Sequence, residues 1–331
     1  MSIPLAGRPE QSTARHGWRR WFLGVLTAAA LLGAVLHFGE VENFARLVDR
    51  AQPLWLALAI LFQLTTYVSV AGGWEFVLHD AASPRPFAKL VRIAVTKLFA
   101  DQAVPSAGMG GNVLLVDQLT ALGVERGTAV AALLVSMIGF YAAYAFLAVI
   151  MLVMLWSQNE ATPLMALLVM IFLLVALAIP LIALWLRRRG RSGLYPRFER
   201  IAFVQTLLEA VAQAPSSLIA NRGLLARVTI CNSLVFLADA ATLFVCLLAL
   251  DQSAAFTTAF VALTMASIVV TLGPIPLGLG TFEATSTATL HLLGVPVEAA
   301  FAATMLLRLL TLWLPLLPGL YLMRYVLRGA S

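Results

Sequence analysis

The sequence predicts an all-α, polytopic membrane protein, and three observations support this prediction. Hydrophobic residues make up 61% of the 331 residues and charged residues only 11%, whereas soluble proteins carry about 25% charged residues. The apolar runs are about 20 residues long, which is the length of a helix that crosses a bilayer. The runs lack the period-two alternation that indicates a transmembrane β-barrel. We therefore expect one helical membrane domain over residues 1–331.

Six long apolar runs predict helices that cross the membrane. The first run follows Arg15, Arg19 and Arg20 and ends without a small-residue cleavage pattern, so we interpret it as an uncleaved helix. The six predicted crossings are residues 20–38, 54–77, 128–156, 163–186, 226–250 and 297–325.

Two further apolar regions, residues 90–123 and 254–295, are interrupted by proline and glycine near Pro105 and Pro276. Proline removes a backbone donor and glycine is a poor helix former, so neither region can be one continuous helix. The arms of the first region are too short to cross a hydrocarbon core of about 30 Å. We predict two re-entrant hairpins; the alternative is eight spanning helices.

The basic residues indicate how the chain is oriented. The net charge is +6, and most Lys and Arg residues fall before the first crossing, after the second, in the connection 187–225 and near the C-terminus. The other side would keep only Arg46 and Arg50. The positive-inside rule then predicts that both termini are cytoplasmic. A basic, amphipathic segment near residues 198–211 is expected to lie on the cytoplasmic surface. Nucleic-acid binding is not expected, because the chain has no basic, aromatic-rich soluble domain.

An internal repeat emerges when the sequence is aligned with itself so that Pro105 falls on Pro276. Residues 105–132 and 276–303 then share eight identities without a gap, including the sequence Leu-Gly-Val at both 122–124 and 293–295. We predict a first repeat at 54–156 and a second at 226–325, connected by residues 163–225. Their predicted directions are opposite, as in the inverted repeats of secondary transporters. The alternative is a chance likeness of two Pro/Gly breaks.

Five charged residues lie within the apolar segments, where charges are costly and usually functional. Lys97 and Asp101 are four residues apart on a predicted helix, so they either neutralise each other or contribute to a site. Arg308 is too far from either end of its helix to reach water easily. It needs an anionic partner: Glu283, Asp239 or a substrate phosphate.

Glycine-rich backbone precedes both helices that are predicted to follow the breaks. Such helix starts expose N–H groups that attract anions, and a lipid phosphate is the obvious anion within a membrane. Glu283 has a second interpretation as a cap of its own helix. The candidate substrate-binding residues are Arg308, Glu283, Gly278, Gly280, Pro276, Lys97, Asp101, Gly110, Gly111, Asn112 and Asp239.

Motifs of soluble enzymes are missing from the sequence. It contains no HExxH, no Walker A lysine, no GxSxG and no Cys/His cluster. We therefore predict no catalytic residue, no metal and no cofactor, and we expect the protein not to be an enzyme.

The sequence around the second break resembles a known family. The motifs are Pro-Ile-Pro-Leu-Gly-Leu-Gly-Thr-Phe-Glu at 274–283, Leu-Gly-Val-Pro at 293–296, then Arg308, Trp-Leu-Pro at 313–315 and Gly319. They resemble the lysylphosphatidylglycerol synthase transmembrane family, also called flippase-like, which includes the N-terminal membrane domain of the bacterial multiple peptide resistance factor. The chain ends at Ser331 without a soluble aminoacyltransferase domain, so we do not expect a complete lysyl-lipid synthase.

The resemblance implies translocation of phospholipids or polyprenyl-linked lipids across the bacterial inner membrane. The positions that match the family are Gly278, Gly280, Glu283 and Arg308. The leading hypothesis is a flippase or scramblase that binds an anionic phospholipid or a polyprenyl-phosphate lipid. One alternative is a non-transporting partner of a lipid-modifying enzyme. Another is a transferase with a polyprenyl-linked donor, although such enzymes usually have a larger acidic extramembrane loop. The oligomeric state is not predicted.

Overall fold

The computed structural model describes residues 52–103, 109–157, 162–189, 215–273 and 278–314, which all belong to one unit, Ala51–Ser331. These ranges contain ten α-helices and no β-strand. The helices are α1 (Pro53–Asp80), α2 (Phe87–Ala103), α3 (Met109–Ala121), α4 (Arg126–Ser157), α5 (Pro163–Arg189), α6 (Ser216–Ala220), α7 (Arg222–Ala249), α8 (Phe256–Leu272), α9 (Thr281–Leu292) and α10 (Val297–Arg308). The predicted crossing 20–38, the segment 198–211, Pro276 and the end of the crossing 297–325 lie outside the described residues.

Three of the described helices, α1, α4 and α7, are long and apolar enough to cross a membrane, and two shorter apolar stretches occur at Pro163–Ala178 and Phe256–Leu272. Large apolar side chains point away from the protein, as at Trp156 (76% exposed) and Leu174 (70% exposed). A soluble protein rarely exposes so extensive an apolar surface, whereas hydrocarbon solvates it. The prediction of a helical membrane protein is confirmed.

Helices α1 and α7 lie side by side and run antiparallel. At one end, the N–H of Gln52, just before α1, donates to the carbonyl of Ala249, the last residue of α7 (3.1 Å). At the other end, the Nδ2 atom of Asn221, just before α7, donates to Asp80, the last residue of α1 (3.2 Å). The start of each helix thus contacts the end of the other, so the pair is approximately two-fold symmetric.

Helix α4 packs closely against α7, and a glycine makes this possible. A Cβ atom at Gly139 would lie only 2.8 Å from a methyl group of Val228, closer than side-chain atoms normally approach. Small residues at such interfaces allow helix backbones to come together in a membrane. A buried apolar core then connects α1, α2, α3 and α4 to the first turns of α7, with Trp74 and Leu119 among its fully buried residues.

Helices α2 and α3 form an antiparallel hairpin that is held at its open end by Arg85. The guanidinium of Arg85 donates to the carbonyls of Leu122 (2.8 Å) and Gly123 (2.7 Å). Midway along the hairpin, the side chains of Thr96 and Gln118 are hydrogen-bonded (3.2 Å). Both ends of the chain segment that forms the hairpin are therefore on the same side of the molecule.

The order and length of the helices recur in the two halves of the chain. Helices α1 and α7 each have 28 residues, α2 and α8 each have 17, and α3 and α9 have 13 and 12. In each half the second helix is separated from the third at the predicted Pro/Gly break. The predicted separation of 90–123 and 254–295 into two arms is thus present in the structure.

The helix ends recur as well. Ala82 and Asp251, just after α1 and α7, both have a positive φ, and so do Gly123 and Gly294 after α3 and α9. The N–H of Val124 donates to the carbonyl of Leu119 (3.1 Å), and that of Val295 to Leu290 (3.0 Å), which is the same helix C-cap. The stretch from Asp251 to Gly294 is two residues longer than the stretch from Ala82 to Gly123. Helices α2 and α8 are equally long and α9 is one residue shorter than α3, so the second break, 273–280, is three residues longer than the first, 104–108.

Basic residues gather at one end of the described structure, which we call the basic end. It holds the end of α1 and the starts of α4 and α7. Its residues include Arg85, Lys89, Arg92, Arg126, Arg222 and Arg227, and α5 ends there with Arg187, Arg188 and Arg189. At the opposite end, the described connecting residues 52, 157, 162 and 250–255 contain no Lys or Arg.

Candidate functional site

Helix α9 begins after a glycine with a left-handed backbone. Gly280 has φ 82° and ψ −40°, a conformation that strains any residue with a Cβ atom. Its N–H donates to Oε2 of Glu283 (2.6 Å). The cap that the sequence suggested for Glu283 is therefore present.

Glu283 also contacts a buried arginine. The Nε atom of Arg308, the last residue of α10, donates to Oε1 of Glu283 (2.7 Å). The side chains of Glu283 and Arg308 are only 16% and 11% exposed. A charge-assisted hydrogen bond of this length in a water-poor environment is among the stronger polar contacts in proteins.

Neighbouring groups hold the guanidinium of Arg308 in position. It lies over the ring of Phe282, 4.8 Å from the ring centroid, which is a favourable cation–π distance. One turn further from the break, the hydroxyls of Ser286 and Thr304 are hydrogen-bonded (2.9 Å) and connect α9 to α10. These two contacts set the relative position of the helices that carry Glu283 and Arg308.

The helix that carries Arg308 then changes its geometry. Residues Leu309–Trp313 form a π-helical turn, in which the N–H of Leu314 donates to the carbonyl of Leu309 (3.2 Å). Single π-helical turns are rare and often occur at functional sites. No sequence signal predicts this turn, because the apolar residues of the segment suit either helix type.

The first half of the chain contains a similar arrangement at the start of α3. Lys97 and Asp101 form an ion pair within α2, with 2.7 Å between Nζ and Oδ2, and each side chain is 20% exposed. The other oxygen of Asp101, Oδ1, accepts a hydrogen bond from the N–H of Gly111 (3.0 Å). Asp101 thus belongs to the helix before the break but contacts the helix after it.

The two arrangements use the same chemistry. In each, one carboxylate oxygen contacts a cation and the other accepts from a backbone N–H at the start of the short helix after a break. The carboxylate comes from the same helix in the second half (Glu283) and from the preceding helix in the first half (Asp101). A cation together with backbone N–H groups at a helix start is a favourable environment for an anionic group.

Asp239 lies apart, in the contact between α1 and α7. Its Oδ1 atom accepts a hydrogen bond from Nε2 of Gln63 (2.8 Å), and the same nitrogen contacts the hydroxyl of Thr242 (3.0 Å). Gln63 was not among the predicted residues. It is one of several polar residues on α1, with Thr65 and Thr66 close by, and hydropathy alone does not distinguish it from a tolerated surface position.

The structure gathers the predicted residues into three groups. Glu283 and Arg308 come together beside Gly278 and Gly280; Lys97 and Asp101 come together beside Gly110, Gly111 and Asn112; and Asp239 contacts Gln63. Pro276 lies outside the described residues. Within the ranges that the structure describes, no three His, Cys, Asp or Glu side chains are close enough together to hold a metal ion.

Comparison with known proteins adds one match. The family described as "Lysylphosphatidylglycerol synthase TM region" matches residues 21–319. No curated protein matches the chain. The matched range includes all three groups of predicted residues.

Proposed function

The chain belongs to the lysylphosphatidylglycerol synthase TM-region family, and from this membership we propose that it translocates an anionic phospholipid or a polyprenyl-phosphate lipid across the membrane. The observation that carries the proposal is the contact of Glu283 with both Arg308 and the N–H of Gly280 at the start of α9. A lipid phosphate has the charge and the acceptor oxygens to replace the Glu283 carboxylate in both contacts.

In this mechanism Glu283 competes with the lipid for the same donors. A headgroup phosphate that reaches the start of α9 accepts from Arg308 and displaces Glu283. The return of Glu283 then releases the headgroup. Arg308 therefore binds the lipid, while Glu283 allows it to leave. Lys97 and Asp101 provide a second position of the same chemistry at the start of α3, with Gly110, Gly111 and Asn112 forming the helix start.

The lengths of the short helices support the re-entrant arrangement. Helices α2 and α8 would each span about 25 Å, and α3 and α9 less than about 20 Å, against a hydrocarbon core of about 30 Å. We propose that both hairpins enter the bilayer and turn back, which leaves six crossing helices. Each break, with its carboxylate and cation, would then lie inside the membrane.

The antiparallel contact of α1 with α7, together with the matched helix lengths and caps, supports an inverted repeat of 54–156 and 226–325. The hairpin α2–α3 would then enter from the basic end and α8–α9 from the opposite end. Many secondary transporters use this plan, with broken helices that meet near the midplane. We further propose that the protein lies in the bacterial inner membrane with the basic end and both termini in the cytoplasm.

The proposal is tested with purified protein in vesicles that contain fluorescent phosphatidylglycerol, whose movement between leaflets is measured by quenching. We expect Arg308→Ala to stop this movement and to retain roughly tenfold to a hundredfold less phosphatidylglycerol on purification, because one charge-assisted hydrogen bond is lost. We expect Glu283→Gln also to stop movement but to retain more lipid, since the competing carboxylate is gone.

A matched control is Arg227→Ala. Arg227 forms an ion pair with Asp80 of similar length (2.8 Å), but its side chain is 42% exposed and it lies at the basic end. This variant should move lipid at the normal rate. Normal movement in both Arg308→Ala and Glu283→Gln, with both variants folded, would contradict the site assignment.

The family description itself supports a second candidate function. It names the membrane region of a synthase, so the chain could present a lipid to a separate lipid-modifying enzyme without moving it between leaflets. In that case the wild-type protein would retain anionic lipid that Arg308→Ala loses, but neither would change the rate of movement in vesicles.

A further inference from the structure

Of the three carboxylates that the sequence places within apolar segments, Asp239 is the one that the proposed lipid mechanism does not use. It lies well inside α7, which begins at Arg222 and ends at Ala249. At 1.5 Å per residue it is about 25 Å from one end of the helix and about 15 Å from the other. Asp239 is therefore within the hydrocarbon region of a spanning helix.

The contacts of Asp239 differ from those of Asp101 and Glu283. Asp101 and Glu283 each contact a cation and a backbone N–H. Asp239 accepts instead from the neutral amide of Gln63, a residue that is only 2% exposed. Within the described part of the chain, no Lys or Arg forms an ion pair with it.

A second polar group, the hydroxyl of Tyr67 on α1, supports a binding site at Asp239. Tyr67 follows Gln63 by one helical turn on α1 and is 5% exposed. Its hydroxyl is buried without a hydrogen-bond partner. Buried hydroxyls are nearly always hydrogen-bonded, so an unsatisfied one a helical turn from Gln63 needs an explanation.

The described helices that pack against α7 bring no compensating charge to Asp239. Arg308 is already paired with Glu283, and the other charged groups lie toward the ends of their helices. Helices α6 and α8 carry no ionisable side chain. The ionisable residues on the remaining neighbours are Tyr67, Glu75, His79 and Asp80 on α1, Arg126, Tyr141 and Tyr144 on α4, and Glu298 and Arg308 on α10.

A carboxylate in this environment is neutralised most readily by binding a proton. Burying an unpaired charge costs several kcal/mol or more, and such groups take up a proton instead. A sodium ion would need several oxygen ligands, but Gln63 directs its amide nitrogen toward Asp239. A proton needs only one carboxylate oxygen, and the other oxygen, Oδ1, can keep the hydrogen bond from Gln63.

We propose that Asp239, with Gln63 and Tyr67, forms a membrane-buried proton-binding site. The carboxylate takes one proton from water on one side of the membrane and becomes a neutral acid, and it returns that proton to water on the other side. Coupling of this exchange to lipid movement rests on the proposed translocation; proton binding by Asp239 does not. The site makes the proton gradient the energy source for movement of lipid against its own gradient.

Two measurements test these two parts separately. Infrared spectra of the full chain in lipid, with ¹³C-labelled aspartate, detect the C=O stretch of a protonated aspartic acid. We expect wild type and Asp117→Asn to have this band near neutral pH and Asp239→Asn to lack it. Asp117 is the matched control, because it is an exposed aspartate on α3.

Should Asp239→Asn fail to fold, Tyr67→Phe removes only the hydroxyl, and it should change the frequency or the pH midpoint of the band.

The second measurement uses vesicles with fluorescent phosphatidylglycerol and an imposed pH gradient. In wild type and Asp117→Asn, a gradient of one pH unit should change the ratio of labelled lipid between leaflets by up to about tenfold. In Asp239→Asn the ratio should not respond to the gradient.

The outcomes separate the two claims. The proton site is overturned if the infrared band does not depend on Asp239. It is also overturned if lipid movement responds to a sodium gradient in place of a pH gradient. Lipid movement that ignores the pH gradient in wild type overturns coupling but leaves the translocation proposal intact. No lipid movement at all contradicts translocation, and the infrared band then decides proton binding alone.

Discussion

At the residue scale, Asp101 and Glu283 hold the starts of α3 and α9 in different ways. Glu283 caps its own helix, so its contact with Gly280 spans only three residues. Asp101 reaches across the first break to Gly111, ten residues away. The Asp101 contact therefore depends on the position of one hairpin arm relative to the other, and it should be sensitive to small changes in their spacing.

Gly111→Ala tests this dependence. A Cβ atom at position 111 would collide with the carboxylate of Asp101, so the hydrogen bond between them must break or the arms must move apart. We expect a loss of about 1–3 kcal/mol in the free energy of unfolding, from strain and a lost charged hydrogen bond. Thermal unfolding in detergent measures this change as a lower midpoint temperature.

Gly73→Ala is the matched control for that substitution. Gly73 is also a helical glycine, but the nearest atoms to a Cβ there would be 3.7 and 3.8 Å away, which is ordinary contact distance. Alanine also favours helix by about 1 kcal/mol over glycine. This variant should be as stable as wild type or more stable; equal losses in both variants would contradict the close contact at Asp101.

The sequence predicts that Arg308, a charge deep in an apolar run, needs an anionic partner, but it leaves Glu283, Asp239 and a substrate phosphate as candidates. The contact with Glu283 follows from the packing of α9 against α10. Gln63 could not be predicted as a partner of Asp239, nor Tyr67 as a residue of the proposed site. Their role depends on the contact between α1 and α7, which belong to opposite halves of the chain. The contact of Asp101 with Gly111 was missed for a related reason, since it depends on hairpin geometry.

At the element scale, the antiparallel contact of α1 with α7 can be tested by a disulfide. The Cβ of a residue at position 73 would lie 3.8 Å from Cβ of Cys231, which is the typical separation in a disulfide. We expect Gly73→Cys to form a disulfide with Cys231 under mild oxidation. With a protease site inserted between residues 190 and 214, the two fragments should stay together on a non-reducing gel and separate after reduction.

The control for the disulfide is Gly73→Cys combined with Cys231→Ser. The fragments of this variant should separate without reduction, because Cys246 lies near the other end of α7. Fragments that separate in both variants would contradict the contact between the two helices.

The two breaks were predictable at this scale because proline and glycine act on their own backbone. The ends of α2 at Ala103 and α8 at Leu272 fall where the sequence predicts them. The π-helical turn after Arg308 was not predictable in this way. Such turns depend on the packing of the whole helix, and Leu309–Trp313 contains no residue that breaks a helix.

At the scale of the whole molecule, the basic end predicts which side each connection faces. Ser217, just before α7, and Ser253, just after it, are both exposed. In a background with Cys231→Ala and Cys246→Ala, we expect an impermeant maleimide to label Ser217→Cys only from the cytoplasmic side and Ser253→Cys only from the outer side. Intact cells and inverted vesicles provide the two directions. Labelling of both positions from one side would contradict a spanning α7.

The three extra residues in the second break bear on the energy of the conformational cycle that the proposed inverted repeat would perform. Two identical inverted halves could exchange their conformations, and the states open to either side would then have equal energy by symmetry. Unequal breaks remove that equality, because the tip of α8–α9 has a longer connection than the tip of α2–α3. In the proposed cycle the resting protein should therefore favour one opening over the other before any lipid or proton binds, while the gradients of lipid and proton still set the net direction of movement.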